Sequence, residues 1–196
     1  MTNHDLKTVF SSAKTGGSDC WSTPRDFFFI LDAEFHFDLD VCATKDNALC
    51  AKFFSPEDDG LRQRWEGVAF CNPPYSDVKT WIAKAYAEST RGATVVCLVP
   101  SRTDTAWFHD FVMPYAETRF VRGRLKFGGS RNSAPFPSLL AIFRPPTPSA
   151  PVVAPVVGGA SRATTVHPQE AALSKPPPAV DVLEGVGHEL GISFTR

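Results

Sequence analysis

"VAFCNPPYSDVKTWIAKAYAESTRGATVVCLV", residues 68–99, decides the fold. It opens on an apolar run, 68–71, stopped abruptly by Asn72-Pro73-Pro74-Tyr75. Asp77 can then cap a helix in which Val78, Trp81, Ile82 and Ala85 share one face, and Gly92 ends it. Residues 93–99, "ATVVCLV", are apolar throughout, as expected of a central parallel strand covered on both faces. Working outward, Thr23-Pro24 reads as a helix cap followed by proline at the first helical position, with Asp26 in the first turn. Phe27, Ile30, Leu31 and Phe35 recur behind it at helical spacing. "FDLDV" (37–41) reads as a strand, "DTAWFHDFV" (104–112) as a short helix, and "TRFVR" (118–122) and "SLLAIF" (138–143) as strands around a Gly-rich basic loop. Strands alternating with helices predict an α/β domain, its sheet mostly parallel with helices on both faces.

Composition sets the frame. The chain has 196 residues, 43% hydrophobic and 21% charged, with a formal net charge of −1, so the whole molecule is no general polyanion binder. The charges are unevenly placed. Residues 18–75 carry eleven Asp and Glu against five Lys and Arg, while residues 102–144 carry seven Lys and Arg against three acids. An acidic and a basic half suggest two faces with different partners. The five cysteines (Cys20, Cys42, Cys50, Cys71, Cys97) form no C-x-x-C pair, which fits a reducing cytoplasm and gives no zinc site. No secretory pattern or membrane-length apolar run stands out. Residues 1–19 read as a flexible N-terminus and 20–144 as the folded domain. Residues 145–180 hold nine of the seventeen prolines and read as a linker, and 181–196 as a short tail that could dock as one helix or strand.

In a sheet of this kind ligands bind at the carboxyl ends of the strands, and the turn at 72–75 falls at one of them. Its residue types suit one chemical problem. The exocyclic amine of a nucleobase is a poor nucleophile because its lone pair is delocalised into the ring. Two hydrogen-bond acceptors on its two N–H groups pull it toward tetrahedral geometry. The Asn72 side-chain oxygen supplies one and the Pro73 carbonyl, fixed by Pro74, supplies the other. Tyr75 offers a face on which a base can stack, worth about 1–3 kcal/mol. Such a base must first leave the duplex. The alternative for the same residues is a plain turn, since Asn-Pro commonly starts one.

The set "CWSTPRDFFFIL", "FDLDVCA", "DGLRQRW", "CNPPYS", "DTAWFH" and "GRLKF" resembles the phage-type Dam family of DNA N6-adenine methyltransferases, over about residues 20–144. That resemblance implies a compact Rossmann-like methyltransferase fold that uses S-adenosylmethionine, acts on double-stranded DNA and needs no metal or membrane. It implies that Asn72, Pro73, Pro74 and Tyr75 hold the target adenine. It places Asp40, with Cys42 and Ala43 behind it, at the methionine end of the cofactor, Thr23 and Pro24 against the cofactor, and Asp59 on its adenine or ribose. The phage likeness points to a bacterial host's cytoplasm. One departure is plain: "DVCATKDN" lacks the Gly-rich turn usual after the first strand, so close approach falls to small Ala43.

The remaining candidates are cations. Arg122, Arg124, Lys126 and Arg131 flank Gly123, Gly128 and Gly129, as a loop on DNA phosphates or a solvated hairpin tip would. Arg102, with Ser101, Thr103 and Asp104, follows the apolar strand and could line the adenine pocket or touch DNA, while Asp104 could equally be a helix cap. Trp21, Trp65, Trp81 and Trp107 read as core, and His109 as a surface residue. Asp38 and Asp40 alternate on their strand, and Asp40 is the favoured one. Three other functions fit parts of the pattern: methylation of cytosine N4, methylation of a glutamine side chain, and a DNA- or cofactor-binding module without activity.

Overall fold

The computed structural model describes residues 21–129 and 132–147 and the strand Phe194–Thr195. Helix α1 (Arg25–Phe35) leads into strand β1 (Leu39–Asp40), followed by β2 (Lys52–Phe53) and β3 (Val68–Cys71). Helix α2 (Val78–Ser89) returns the chain to β4 (Thr94–Pro100). A π-helical turn at Phe108–Val112 runs into the short α3 (Met113–Tyr115), then β5 (Ala116–Val121), β6 (Ser138–Phe143) and β7 (Phe194–Thr195) complete the sheet.

The seven strands lie in the order β2-β1-β3-β4-β6-β5-β7. Neighbours from β2 to β4 pair in parallel, while β4–β6, β6–β5 and β5–β7 pair antiparallel. Following those pairings, β1 to β5 all run one way and β6 and β7 run the other, so the sheet is mostly parallel in strand direction. The register sets Cys71 beside Cys97 and Val96 beside Ile142.

Both faces of the sheet are buried. On one, Val95, Cys97 and Val99 of β4 pack with Trp65 and with Trp81, Ile82 and Ala85 of α2. On the other, Val96 and Leu98 pack with Phe70 and with Phe27, Phe28, Leu31 and Phe35 of α1. Period-two alternation with an apolar layer on each side is why the strand at 94–100 carries no polar face.

Two buried charges tie elements together. Glu88 of α2, fully buried, meets Lys84 at 2.6 Å and Arg91 at 3.1 Å, and accepts the Trp65 N–H. Arg119 of β5, 4% exposed, bonds both oxygens of Glu34 on α1 at 2.7 and 2.8 Å and also meets Glu117. Arg144 is likewise paired, with Glu117 at 3.3 Å. Two cations of the basic half therefore serve the fold.

Several local expectations need adjusting. The strand around Asp40 is only two residues long, and β2 has no strong sequence signal. Helix α1 begins at Arg25 with Pro24 in the cap position and no side-chain cap bond. Thr23 thus does not cap it. Asp77 does precede α2, but its carboxylate bonds the Thr80 hydroxyl at 2.6 Å rather than a backbone N–H. The helix expected at 104–112 is present from residue 106 and runs on to Tyr115, with a π-helical stretch at Phe108–Val112. The expected N-terminal segment (1–19), nearly all of the expected linker (145–180) and most of the expected tail (181–196) lie outside the described residues, as do Cys20 and Arg131.

Candidate active site

The chain runs from β1 outward to β2 and then crosses back to β3, on the other side of β1. That reversal opens a crevice between the carboxyl ends of β1 and β3, the place where open α/β sheets bind ligands. Asp40 is the last residue of β1 and Asn72 follows the last residue of β3. Both line a recess of about 30 Å³, with Trp21, Thr23, Cys42 and Pro74 among its other walls. Trp21 is therefore a wall of the site as well as a packed aromatic. A polar group can enter a space of that size, though not a whole ligand.

Asn72 has one end tied down. Its Nδ2 donates to the Trp21 carbonyl and, at 2.9 Å, to Thr23 Oγ1. Its Oδ1 is buried and has no hydrogen-bond partner among the described residues. A buried acceptor left open costs of order 1–3 kcal/mol, which marks it as held for a donor. The Pro74 carbonyl accepts the Asp77 N–H at 3.1 Å, so the second acceptor of the turn falls to Pro73. Tyr75 is half-buried, packed edge-on to Phe127 and Phe136 with centroids 6.3 and 5.3 Å away. Its hydroxyl is also buried without a partner, and burial raises its pKa.

Asp40 is 3% exposed and carries two long backbone bonds, from Cys42 N and Leu49 N, both at 3.3 Å. Burial raises its pKa from 3.8 to about 6 against those two bonds. The carboxylate is under-compensated, and a cation placed against it would relieve that. The same two bonds fold the loop 42–49 over the carboxylate. Asn47 Oδ1 completes the bend by accepting the Thr44 N–H at 2.6 Å. Here a bond from the Thr44 N–H to the Asn47 side chain does the shaping expected of glycines. Ala43, within that loop, is buried with its N–H bonded to the Phe54 carbonyl and does not line the recess.

A second recess, about 10 Å³, shares the Cys42 wall and is lined by Val41, Phe54, Ser55, Pro56, Asp59 and Trp81. Asp59 has a left-handed backbone (φ 56°) and pairs with Arg62 at 3.0 Å. A broad cleft of about 700 Å³ borders the first recess through shared residues Ser22, Thr23, Asn47 and Leu49. Pro24, Arg25, Arg124 and Lys126 stand on it, beside Asp26 and Asp46. The loop that brings these cations is rooted in the core. Leu125 and Phe127 are buried while Arg122 and Arg124 before them and Lys126 between them are exposed. Gly128 N donates to the Ser22 carbonyl at 2.8 Å. Arg102 and Arg122 are exposed and lie outside the walls of all three cavities.

The residue types fit S-adenosylmethionine. Asp40 suits its cationic end, and the apolar Val41, Phe54 and Trp81 with Asp59 and Ser55 suit an adenine and a ribose. Sequence reading missed Trp21, Asn47, Leu49 and Phe54. Only Asn47, in "TKDN", carried a turn signal that could have found it. Among the described residues, no cluster of His, Cys, Asp and Glu could hold a metal ion, and no helix is long and apolar enough to cross a membrane.

The chain is similar to known proteins. A 148-residue stretch is 30% identical to the DNA N-6-adenine-methyltransferase of Haemophilus phage HP1, covering 70% of this chain and 86% of that protein. The enzyme of the same name from Escherichia phage T1 is 33% identical over 111 residues, covering 55% of this chain and 46% of the relative's length. The family model described as DNA N-6-adenine-methyltransferase (Dam) matches residues 11–156, the stretch that carries the recess, the Asn-Pro-Pro-Tyr turn and the basic loop, and the chain belongs to that family.

Proposed function

We infer that the protein transfers a methyl group from S-adenosylmethionine to the N6 amine of an adenine turned out of double-stranded DNA. One observation carries this reading: a buried, partnerless Asn72 Oδ1 at the crevice between β1 and β3, on an amide whose other end is fixed.

When bound, S-adenosylmethionine supplies a methyl group on a sulfonium, which needs no further activation. The chain's own contribution is alignment and electrostatics. Asn72 Oδ1 and the Pro73 carbonyl accept the two N–H groups of the target amine and localise its lone pair. Tyr75 supports the base, steadied by Phe127 and Phe136. Asp40 and Asp59 hold the donor from the recesses on either side of Cys42. Arg124 and Lys126, with Arg25, meet DNA phosphates along the broad cleft that borders the Asn72 recess. The base and the donor thus approach the same wall from two sides.

Nucleoside mass spectrometry on unmethylated plasmid DNA, incubated with the protein and S-adenosylmethionine, tests the reaction. N6-methyladenine is expected. N4-methylcytosine in its place, or no methylated base despite demonstrated cofactor binding, overturns it. Asn72→Ala should lower the rate on the order of 10²-fold or more, the scale of removing one preorganised electrostatic contact. Its affinity for S-adenosylmethionine should stay near that of the unaltered protein.

A further inference from the structure

We propose that Thr23 is a positioning residue: together with the Trp21 carbonyl it fixes which end of the Asn72 amide meets the reacting amine. This rests on the catalytic reading of Asn72 and goes beyond it. The two ends of a side-chain amide are nearly equal in shape and opposite in hydrogen-bonding sense. Rotated by half a turn, Asn72 would present an NH₂ to the target N–H groups, donor against donor, and the lone pair would not localise. Nothing within asparagine selects one orientation, so its neighbours must.

They do so by chemistry. The Trp21 carbonyl can only accept, so the group facing it has to be the NH₂. Thr23 Oγ1, 2.9 Å away, takes the second Nδ2 proton. Both donors are then engaged and Oδ1 alone remains open. The Thr23 hydroxyl is available because α1 starts at Arg25 and takes no side-chain cap bond. Branching at its Cβ limits the rotamers through which that hydroxyl could swing away. Cofactor contact was the role the resemblance implied for Thr23. The geometry gives it to the catalytic amide.

Single-turnover methylation with saturating DNA and S-adenosylmethionine, on Thr23→Val and Thr23→Ser, tests this. Losing one hydrogen bond of this kind should slow Thr23→Val about tenfold, with Thr23→Ser within about twofold of the unaltered protein and cofactor affinity preserved in both. An unchanged rate in Thr23→Val overturns the proposal. So does an equal loss in both variants, or a loss that shows only as weaker cofactor binding. Should Thr23→Val not fold, side-chain ¹⁵N spectra of the unaltered protein decide: both Asn72 Nδ2 protons should exchange slowly, and free exchange overturns the assignment. Asn72→Ala in the same assay separates the two readings. If it is inactive while Thr23→Val is fully active, only the Thr23 role falls. If it too is fully active, the catalytic reading of the turn falls.

Discussion

At the scale of single residues, Asp40 carries the sharpest consequence. Its carboxyl titrates near 6 in the folded chain and near 3.8 when freely solvated, because burial outweighs its two backbone bonds. Between those values the folded state binds more protons than the unfolded one, so this group's contribution to stability falls as pH rises from about 4 through about 6 and is flat above. Two pKa units correspond to about 3 kcal/mol. A cationic ligand against the carboxylate reverses the preference, so affinity for S-adenosylmethionine should rise as pH increases through about 6. Melting temperatures measured from pH 4.5 to 7.5 should show this slope in the unaltered protein and lose it in Asp40→Asn. An identical slope in both would assign the titration elsewhere. Strand alternation alone could not choose Asp40 over Asp38, since residues two apart share a face. The resemblance favoured Asp40, and in the structure Asp38 is exposed and accepts the Val68 N–H while Asp40 lines the recess. Nor could alternation reveal that Thr23 serves Asn72. Thr-Pro ahead of an apolar-periodic run carries every local mark of a helix cap, and only the fold brings Asn72, 49 positions away, to the hydroxyl.

At the scale of elements, the loop between β5 and β6 combines two patterns that sequence reading separates poorly. Glycines and arginines made it look like either a DNA contact or a solvated tip. The structure roots it through Leu125, Phe127 and Ala134 in the core beneath α1, and through Gly128 to Ser22. The exposed cations are thus carried on a fixed base. The same loop supplies Phe127 to the Tyr75 ring and Lys126 to the cleft, so it frames both the proposed catalytic turn and the proposed DNA approach. Phosphate contacts contribute sequence-independent, salt-dependent affinity. Arg124→Ala and Lys126→Ala should each weaken DNA binding similarly across sequences and flatten the plot of log affinity against log salt by about one unit. Cofactor affinity should not move. Arg119→Ala should behave differently, because that guanidinium is bound to Glu34 and Glu117. Its loss should lower stability and leave the salt slope unchanged, as melts and salt titrations on the same preparations would show. Charge counting alone could not separate these two kinds of arginine, since pairing with Glu34 comes from α1, 85 positions away.

At the scale of the whole molecule, the apolar run at 94–100 and the helix before it were legible because both obey a simple period. The short β2 was not, since a two-residue strand has no period to read, and β1 was found within 37–41 but drawn too long. The sheet's far edge was the least legible part, and it bears on how the molecule can be cut. Phe194–Thr195 adds a strand to β5, with Phe120 beside Thr195 and Val121 beside Phe194. The proposed catalytic crevice lies between β1 and β3, toward the other end of the strand order. Ending the chain after residue 147 therefore removes ladder bonds from β5 without touching any wall of the recess. The truncated protein should methylate adenine at a rate within about threefold of the full chain, yet melt lower, by several degrees for each kcal/mol lost in a domain of this size. It should also self-associate more, because an open strand edge is a template for pairing. Light scattering and the methylation assay on one sample would read both effects. Loss of activity without loss of stability would mean that the C-terminal segment acts on the site itself, and would require a path to Asn72 other than through the sheet.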